Sequence, residues 1–344
     1  MTSLMQQEAL QSADAVARLL ASDGARYAQW AQDVVALDPS QVVTVARGSS
    51  DHASNYLGFL LTQLTGKVVA SLPMSQVSLY QTSLQAQQML ALAISQSGRS
   101  PDLLATMQAL RAQGARTTAL VNDTDSPLAA QVHDAFDLHA GPEHSVAATK
   151  SFITSLTAGA WLAGEWEQAA RGHSALLQAL LGLPDALRAA GRMDWSAAVE
   201  AFTPVQATMV LGRGLGLAIA AEAALKLKET SAMQAEAFSG AEVVHGPMVL
   251  VEPGYPLLVF ALPGPALAAQ LALAQDMKAR GAKVLIVGCV GTPNVNLPLP
   301  VVSHDALGPL VAIQAFYLFA EQLARARDMD PDTPRHLKKV TLTV

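Results

Sequence analysis

Residues 89–101 read MLALAISQSGRSP. The apolar run Met89–Ile94 predicts a buried strand. It empties into Ser95, Gln96, Ser97, Gly98, Arg99 and Ser100, and a helix over 102–113 follows, ending at Gly114. Pro101 suits the first helical position and Ser100 the N-cap. Hydroxyls, an amide and a glycine at a strand-to-helix turn can wrap an anion. Backbone N–H groups at the helix start and the helix dipole favour phosphate there. Ordinary turn and cap residues would carry the same letters, so the meaning of the loop depends on its surroundings.

Outward from this loop, strands and helices alternate. Strands are predicted at Val42–Ala46, Val68–Ser71 and Thr117–Val121, and helices at 2–32, 51–64 and 126–132. That alternation predicts a parallel sheet covered by helices on both faces. The pattern then recurs. Tyr255–Leu262, Pro265–Arg280, Gly281 and AKVLIVG (282–288) repeat the strand, helix, glycine and strand of 89–121, and TMVLG (208–212) resembles Val43–Gly48. Helices over 149–171 and 176–190 lie between the copies, punctuated by Gly182, Pro184 and Gly191. The expected architecture is a duplicated, doubly wound α/β fold. It comprises an N-terminal helical segment (1–32), a first domain (33–175), a linker helix (176–198), a second domain (199–330) and a C-terminal loop (331–344). Ligands of such sheets bind at the carboxyl ends of the strands. The second copy has LPGP (262–265) where the first has SQSGRS, so a single anion loop is expected, in the first copy.

Composition bounds the function. The 344 residues are 51% hydrophobic and 15% charged, which supports large cores and argues against disorder. The net charge of −6, without a basic stripe, gives no basis for nucleic-acid binding. The single cysteine, Cys289, precludes an intramolecular disulfide framework and suits a reducing compartment. MTSLMQQEAL lacks the regions of a signal peptide, and no uninterrupted apolar run approaches about 18 residues. A cytoplasmic protein with no membrane partner is the expectation.

Several segments carry chemistry. Gly48-Ser49-Ser50-Asp51 follows the first strand: the glycine permits close backbone approach and the serines are donors, or cap a helix starting near Asp51. Gly212-Arg213-Gly214-Leu215-Gly216 is not GxGxxG and has no acidic residue ending a second strand, so it does not predict a nicotinamide site. In the helix-forming run 221–234, Glu222, Lys226 and Glu229 share a face at i, i+4 and i+7. They form either a surface ion pair or a lysine and a carboxylate aimed at one substrate, suited to proton abstraction beside a carbonyl or imine. His245, in EVVHGP (242–247), stands at a turn without metal-ligand neighbours, so no zinc site is expected. The polar tail DTPRHLKK (332–339) follows the last helix.

Taken together, these segments resemble the sugar isomerase (SIS) family, more narrowly the two-domain members related to the isomerase half of glucosamine-6-phosphate synthase. The resemblance rests on GSS (48–50), SQSGRS (95–100), SVAATKSF (145–152), EAALKLKE (222–229), EVVHGP (242–247) and DTPRHLKK (332–339), from about residue 30 to the end. It implies flavodoxin-like SIS domains with a C-terminal active-site tail. By the same resemblance Ser50, Ser95, Gln96, Ser97 and Ser100 hold a sugar phosphate, and Ser49 and Val146 line the sugar. Glu229 would move a proton between C1 and C2. His245 would open the ring, reaching in from the partner subunit of a homodimer with a shared active site. Lys226 would match a ketose-binding, Schiff-base lysine, and Lys339 a lysine of the loop that closes over the site.

Departures refine the expectation. Ala148 stands where the synthase has a serine and Val244 where it has a lysine, and the expectation is a chain without the synthase's glutaminase domain and its nucleophilic cysteine. SVAATKSF and PRHLKKVT look more like the stand-alone SIS-type deaminases of amino-sugar catabolism. The implied activity is conversion of glucosamine 6-phosphate and water to fructose 6-phosphate and ammonia, without metal or cofactor. There the substrate brings its own nitrogen, and Lys226 would orient it rather than form a Schiff base. Galactosamine 6-phosphate and fructosamine 6-phosphate are alternative substrates. A non-catalytic sugar-phosphate sensor is the alternative class, though Lys226, Glu229 and His245 point to catalysis.

Overall fold

The computed structural model describes residues 2–339. In chain order the first elements are α1 (Leu4–Leu10), α2 (Ser12–Leu20), α3 (Gly24–Leu37), β1 (Gln41–Val45), α4 (Ser49–Thr65), β2 (Val69–Ser71) and α5 (Ser75–Ser78). Then come β3 (Met89–Ser95), α6 (Pro101–Ala112), β4 (Arg116–Val121), α7 (Pro127–Gln131), β5 (Asp134–Asp137), α8 (Lys150–Arg171) and α9 (Ala175–Leu180). The remainder is α10 (Leu183–Ala190), α11 (Ser196–Phe202), β6 (Ala207–Gly212), α12 (Leu215–Ser231), β7 (Gln234–Ser239), β8 (Pro256–Phe260), α13 (Leu267–Ala279), β9 (Lys283–Cys289), β10 (Leu297–Leu299) and α14 (Gly308–Ala326). Short 3-10 turns cover Val243–His245, Pro247–Leu250 and Asp305–Leu307.

The chain divides into two units. The first holds Asp14–Glu143, Lys150–Leu181, Lys338 and Lys339; the second holds the residues up to Ala13, His144–Thr149 and Gly182–Leu337. The first unit is built on a parallel sheet in the order β2-β1-β3-β4-β5. All seven residues of β3 are buried, as a central strand covered on both faces requires. Val43, Val45, Ala91, Ala93, Leu103, Met107 and Val121 form part of its core. On α3, Tyr27 stacks on Trp161 of α8 at 4.1 Å, and the Trp30 indole donates to Thr118 Oγ1 at 2.9 Å. These contacts tie α3 into the first unit.

The second unit has the order β10-β9-β8-β6-β7, also parallel. Read from β7, it repeats the order of the first sheet, as duplication predicts. The turns after the first strands match as well. Gly48 (φ 55°, ψ −135°) precedes α4 and Gly214 (φ 57°, ψ −130°) precedes α12. The counterpart of Gly48 is thus Gly214, not Gly212 as the sequence pattern suggested. Gly212 ends β6, where a Cβ would lie 2.3 Å from the Gly216 carbonyl oxygen. Asp305–Ala326, which contains α14, is long and apolar enough to span a membrane, but 94% of its most apolar 18-residue window is buried within the structure. Two of its polar side chains reach the N-terminal segment: Gln314 Nε2 donates to the Ala9 carbonyl at 2.9 Å, and Glu321 accepts from Ser3 at 2.8 Å.

Several expected elements change. The helix over 2–32 is three helices, broken at Gln11 and at Asp23, whose side chain accepts from the Arg26 N–H and caps α3. The linker helix is α9, α10 and the start of α11. The helix over 221–234 begins at Leu215 and stops at Ser231, because Ala232 turns left-handed (φ 48°) and the chain enters β7. α4 begins at Ser49 rather than Asp51. Ser100 is the N-cap of α6 by backbone position, but its hydroxyl makes no capping bond.

Candidate functional site

A cleft of about 330 Å³ opens in the first unit. It lies at the ends of β1 and β3, where strand order reverses, the usual crevice for ligands in such sheets. Gly48, Ser50, Ser95, Gln96, Ser97, Ser100 and Lys339 line it, together with Arg47 and Asp102. Ser95 is buried, and its Oγ accepts the Gly98 N–H at 3.0 Å, folding the loop. Gly98 has φ +62°, and a Cβ there would fall 2.2 Å from Ser126 Oγ. Glycine is therefore required at the bend. The side chains of Ser50, Gln96, Ser97 and Ser100 have no hydrogen-bond partner among the described residues, which leaves their donors available to a ligand. Ser49 opens α4 and is not a lining residue.

Two buried carboxylates organise the cations of this cleft. Asp102, with a fully buried side chain, accepts from Arg47 Nε at 2.5 Å and from the Leu103 N–H at 2.8 Å. Glu143, also fully buried, accepts from Lys339 Nζ at 2.7 Å, from the Ser151 hydroxyl at 2.6 Å and from the Ser151 N–H at 3.1 Å. Sequence reasoning missed Arg47, Asp102 and Glu143. The signal available for Arg47 was a basic residue directly before the Gly-Ser turn.

The second unit holds the other predicted groups. Lys226 and Glu222, on the inner face of α12, are 1% and 0% exposed, so they are no surface pair. Lys226 Nζ lies 3.4 Å from Glu222 and donates to Glu229, whose side chain is 21% exposed; Tyr317 donates to Glu222 at 3.1 Å. Burial pushes the Lys226 pKa down, but the charges of Glu222 and Glu229 outweigh it and hold the group above its ordinary value. Its amine therefore stays protonated at neutral pH. His245 is exposed on its 3-10 turn, flanked in sequence by exposed Val244, Val249 and Leu250. Val146 sits on the segment His144–Thr149, and its N–H donates to the Asp332 carbonyl at 3.0 Å. The neighbouring N–H groups of His144 and Ser145 donate to Glu8 at 2.5 and 3.1 Å.

A doubled parallel sheet, with a hydroxyl-lined cleft at one reversal point, defines a class of α/β proteins suited to phosphorylated small molecules. The chain belongs to the SIS domain family, which matches residues 37–163 and 204–326. It is similar to glutamine–fructose-6-phosphate aminotransferase (isomerizing) of Thermus thermophilus, 33% identical over 322 residues. That match covers 89% of this chain and 53% of the relative, so the chain spans about half the length of the curated relative. Among solved structures, a Silicibacter pomeroyi protein assigned as a phosphosugar isomerase is 41% identical, with a TM-score of 0.87 over 96% of this chain and 100% of that one. The C-terminal domain of glucosamine-fructose-6-phosphate aminotransferase from Francisella tularensis is 25% identical, with a TM-score of 0.88 over 97% and 99% of the two chains. The similarity on the synthase side is thus to its isomerase domain.

Proposed function

We propose that this SIS-family chain is an amino-sugar phosphate deaminase/isomerase converting glucosamine 6-phosphate and water to fructose 6-phosphate and ammonia. The observation that carries the reading is the cleft at β1 and β3, where the side chains of Ser50, Gln96, Ser97 and Ser100 have no hydrogen-bond partner among the described residues. Neutral donors at two helix starts suit a phosphate monoester. For chemistry, Glu229 is the partly exposed carboxylate of the Lys226 cluster. It takes the proton from C2 of the open-chain aldose and returns it to C1, leaving a 2-imine. Water adds to C2, and the C–N bond breaks to release ammonia. Lys226, whose positive charge Glu222 and Glu229 favour, orients the substrate by charge. A substrate that carries its own nitrogen needs no Schiff-base lysine. Lys339, held by Glu143 at the cleft, supplies a second cation. His245 opens the ring, and its exposure with Val244, Val249 and Leu250 supports delivery from a second copy of the chain.

The pure protein is incubated with glucosamine 6-phosphate, and ammonia and fructose 6-phosphate are assayed together. Equimolar formation of both is expected. No turnover at micromolar enzyme on this substrate sinks the reading; turnover only on galactosamine 6-phosphate or fructosamine 6-phosphate moves it to that sugar.

A further inference from the structure

A phosphate monoester brings between one and two negative charges to its site at neutral pH. Hydroxyls and backbone N–H groups can seat it but carry no countercharge. Both cations at the cleft are ion-paired, Lys339 with buried Glu143 and Arg47 with buried Asp102. Arg47 differs in geometry. Only its Nε meets Asp102, and its two Nη groups make no hydrogen bond among the described residues. The side chain is half exposed, while the Asp102 side chain that pins it is wholly buried. One edge of the guanidinium is therefore fixed, and the Nη edge has no partner among the described residues, in a cleft where the hydroxyls of Ser50, Ser97 and Ser100 also have none among them. A planar fork of N–H donors matches two oxygens of a phosphate.

Building on the phosphate role read above, we propose that Arg47 is the specificity residue for the substrate's phosphate. Its terminal guanidinium edge donates to two phosphate oxygens seated among Ser50, Ser97 and Ser100. Asp102 is the positioning residue that holds the guanidinium in place. Arg47 thus discriminates a phosphorylated sugar from the same sugar without its phosphate.

The test is titration calorimetry with fructose 6-phosphate and with inorganic phosphate, on the wild type, Arg47→Met, Arg47→Lys and Ser97→Ala. Loss of the charged pair is expected to weaken both ligands about 10- to 100-fold in Arg47→Met. Arg47→Lys, which restores the charge without the fork, should fall between Arg47→Met and the wild type. In turnover, KM for the phosphorylated substrate should rise with the dissociation constant while kcat changes little. Circular dichroism and thermal unfolding establish that each variant is folded; were Arg47→Met misfolded, Arg47→Lys binding as tightly as the wild type would itself overturn the proposal. Arg47→Met within twofold of the wild type, with Ser97→Ala strongly impaired, overturns the role of Arg47 and leaves the phosphate cleft standing. A wild type that binds neither ligand overturns both this role and the proposed function.

Discussion

The Lys226 ammonium lies 3.4 Å from Glu222 and donates to Glu229, on a stretch of α12 that a linear reading could equally have placed on the surface. Spacing alone put the three residues on one face; burial came from α14, whose Tyr317 reaches Glu222. Removing one partner of a buried ion pair leaves an uncompensated charge, so Lys226→Met should cost about 3–5 kcal/mol in urea unfolding. The pKa of Lys226 is raised, so its stabilisation is complete below the ordinary lysine value of about 10.4 and lost as pH climbs through the folded value. The gap between wild type and Lys226→Met should therefore be flat from pH 6 to pH 9 and narrow above about pH 10.5; a gap that shrinks near pH 7 contradicts the assignment. Glu229→Gln keeps the shape and removes the base. Turnover should fall at least about 100-fold while fructose 6-phosphate still binds, and surviving activity would remove Glu229 from the mechanism.

At the scale of elements, the loop between β3 and α6 depends on Gly98. A methyl group there meets Ser126 Oγ at 2.2 Å, on a backbone that L side chains rarely adopt. Gly98→Ala should destabilise the protein by about 1–3 kcal/mol and weaken fructose 6-phosphate binding. Gly66→Ala is the control: its φ is +75°, but nothing lies within 4 Å of the added atom, so binding should stay intact. Equal binding by both variants would separate the loop from the ligand. This loop was legible because glycine, hydroxyls and proline each have a local physical meaning. The end of α12 was not, since Ala232 turns left-handed without a glycine, asparagine or proline to mark it. The short edge strands β5 (DAFD), β7 (QAEAFS) and β10 (LPL) were also missed; they carry too few alternating apolar residues to stand out. Likewise, Asp102 and Glu143 act through partners distant in sequence, Arg47 and Lys339, and no linear spacing announces such pairs.

At the scale of the molecule, duplication was visible because two blocks of matching order recur, and the sheets bear it out with one strand order used twice. The interleaving was invisible: residues up to Ala13 and the segment His144–Thr149 join the second unit through contacts such as Glu8 with His144. If His245 serves the site of a partner copy, mixing inactive Glu229→Gln and His245→Asn proteins under conditions of subunit exchange should restore about a quarter of wild-type activity, since half the dimers would hold one intact site. A mixture that stays inactive, although exchange is demonstrated, argues against a shared site. The turn at Gly214 has a further consequence. Its backbone copies that of Gly48 within a few degrees, yet the positions after it are Leu215 and Gly216 where the first copy has Ser49 and Ser50. The two copies share the turn but not its donors, and the helix that Gly214 launches carries Glu222, Lys226 and Glu229 instead. A Cβ at Gly216 would meet only ordinary contact with Leu262, at 3.5 Å, so the second turn could take a small donor-bearing residue where the first has Ser50 without displacing its neighbours.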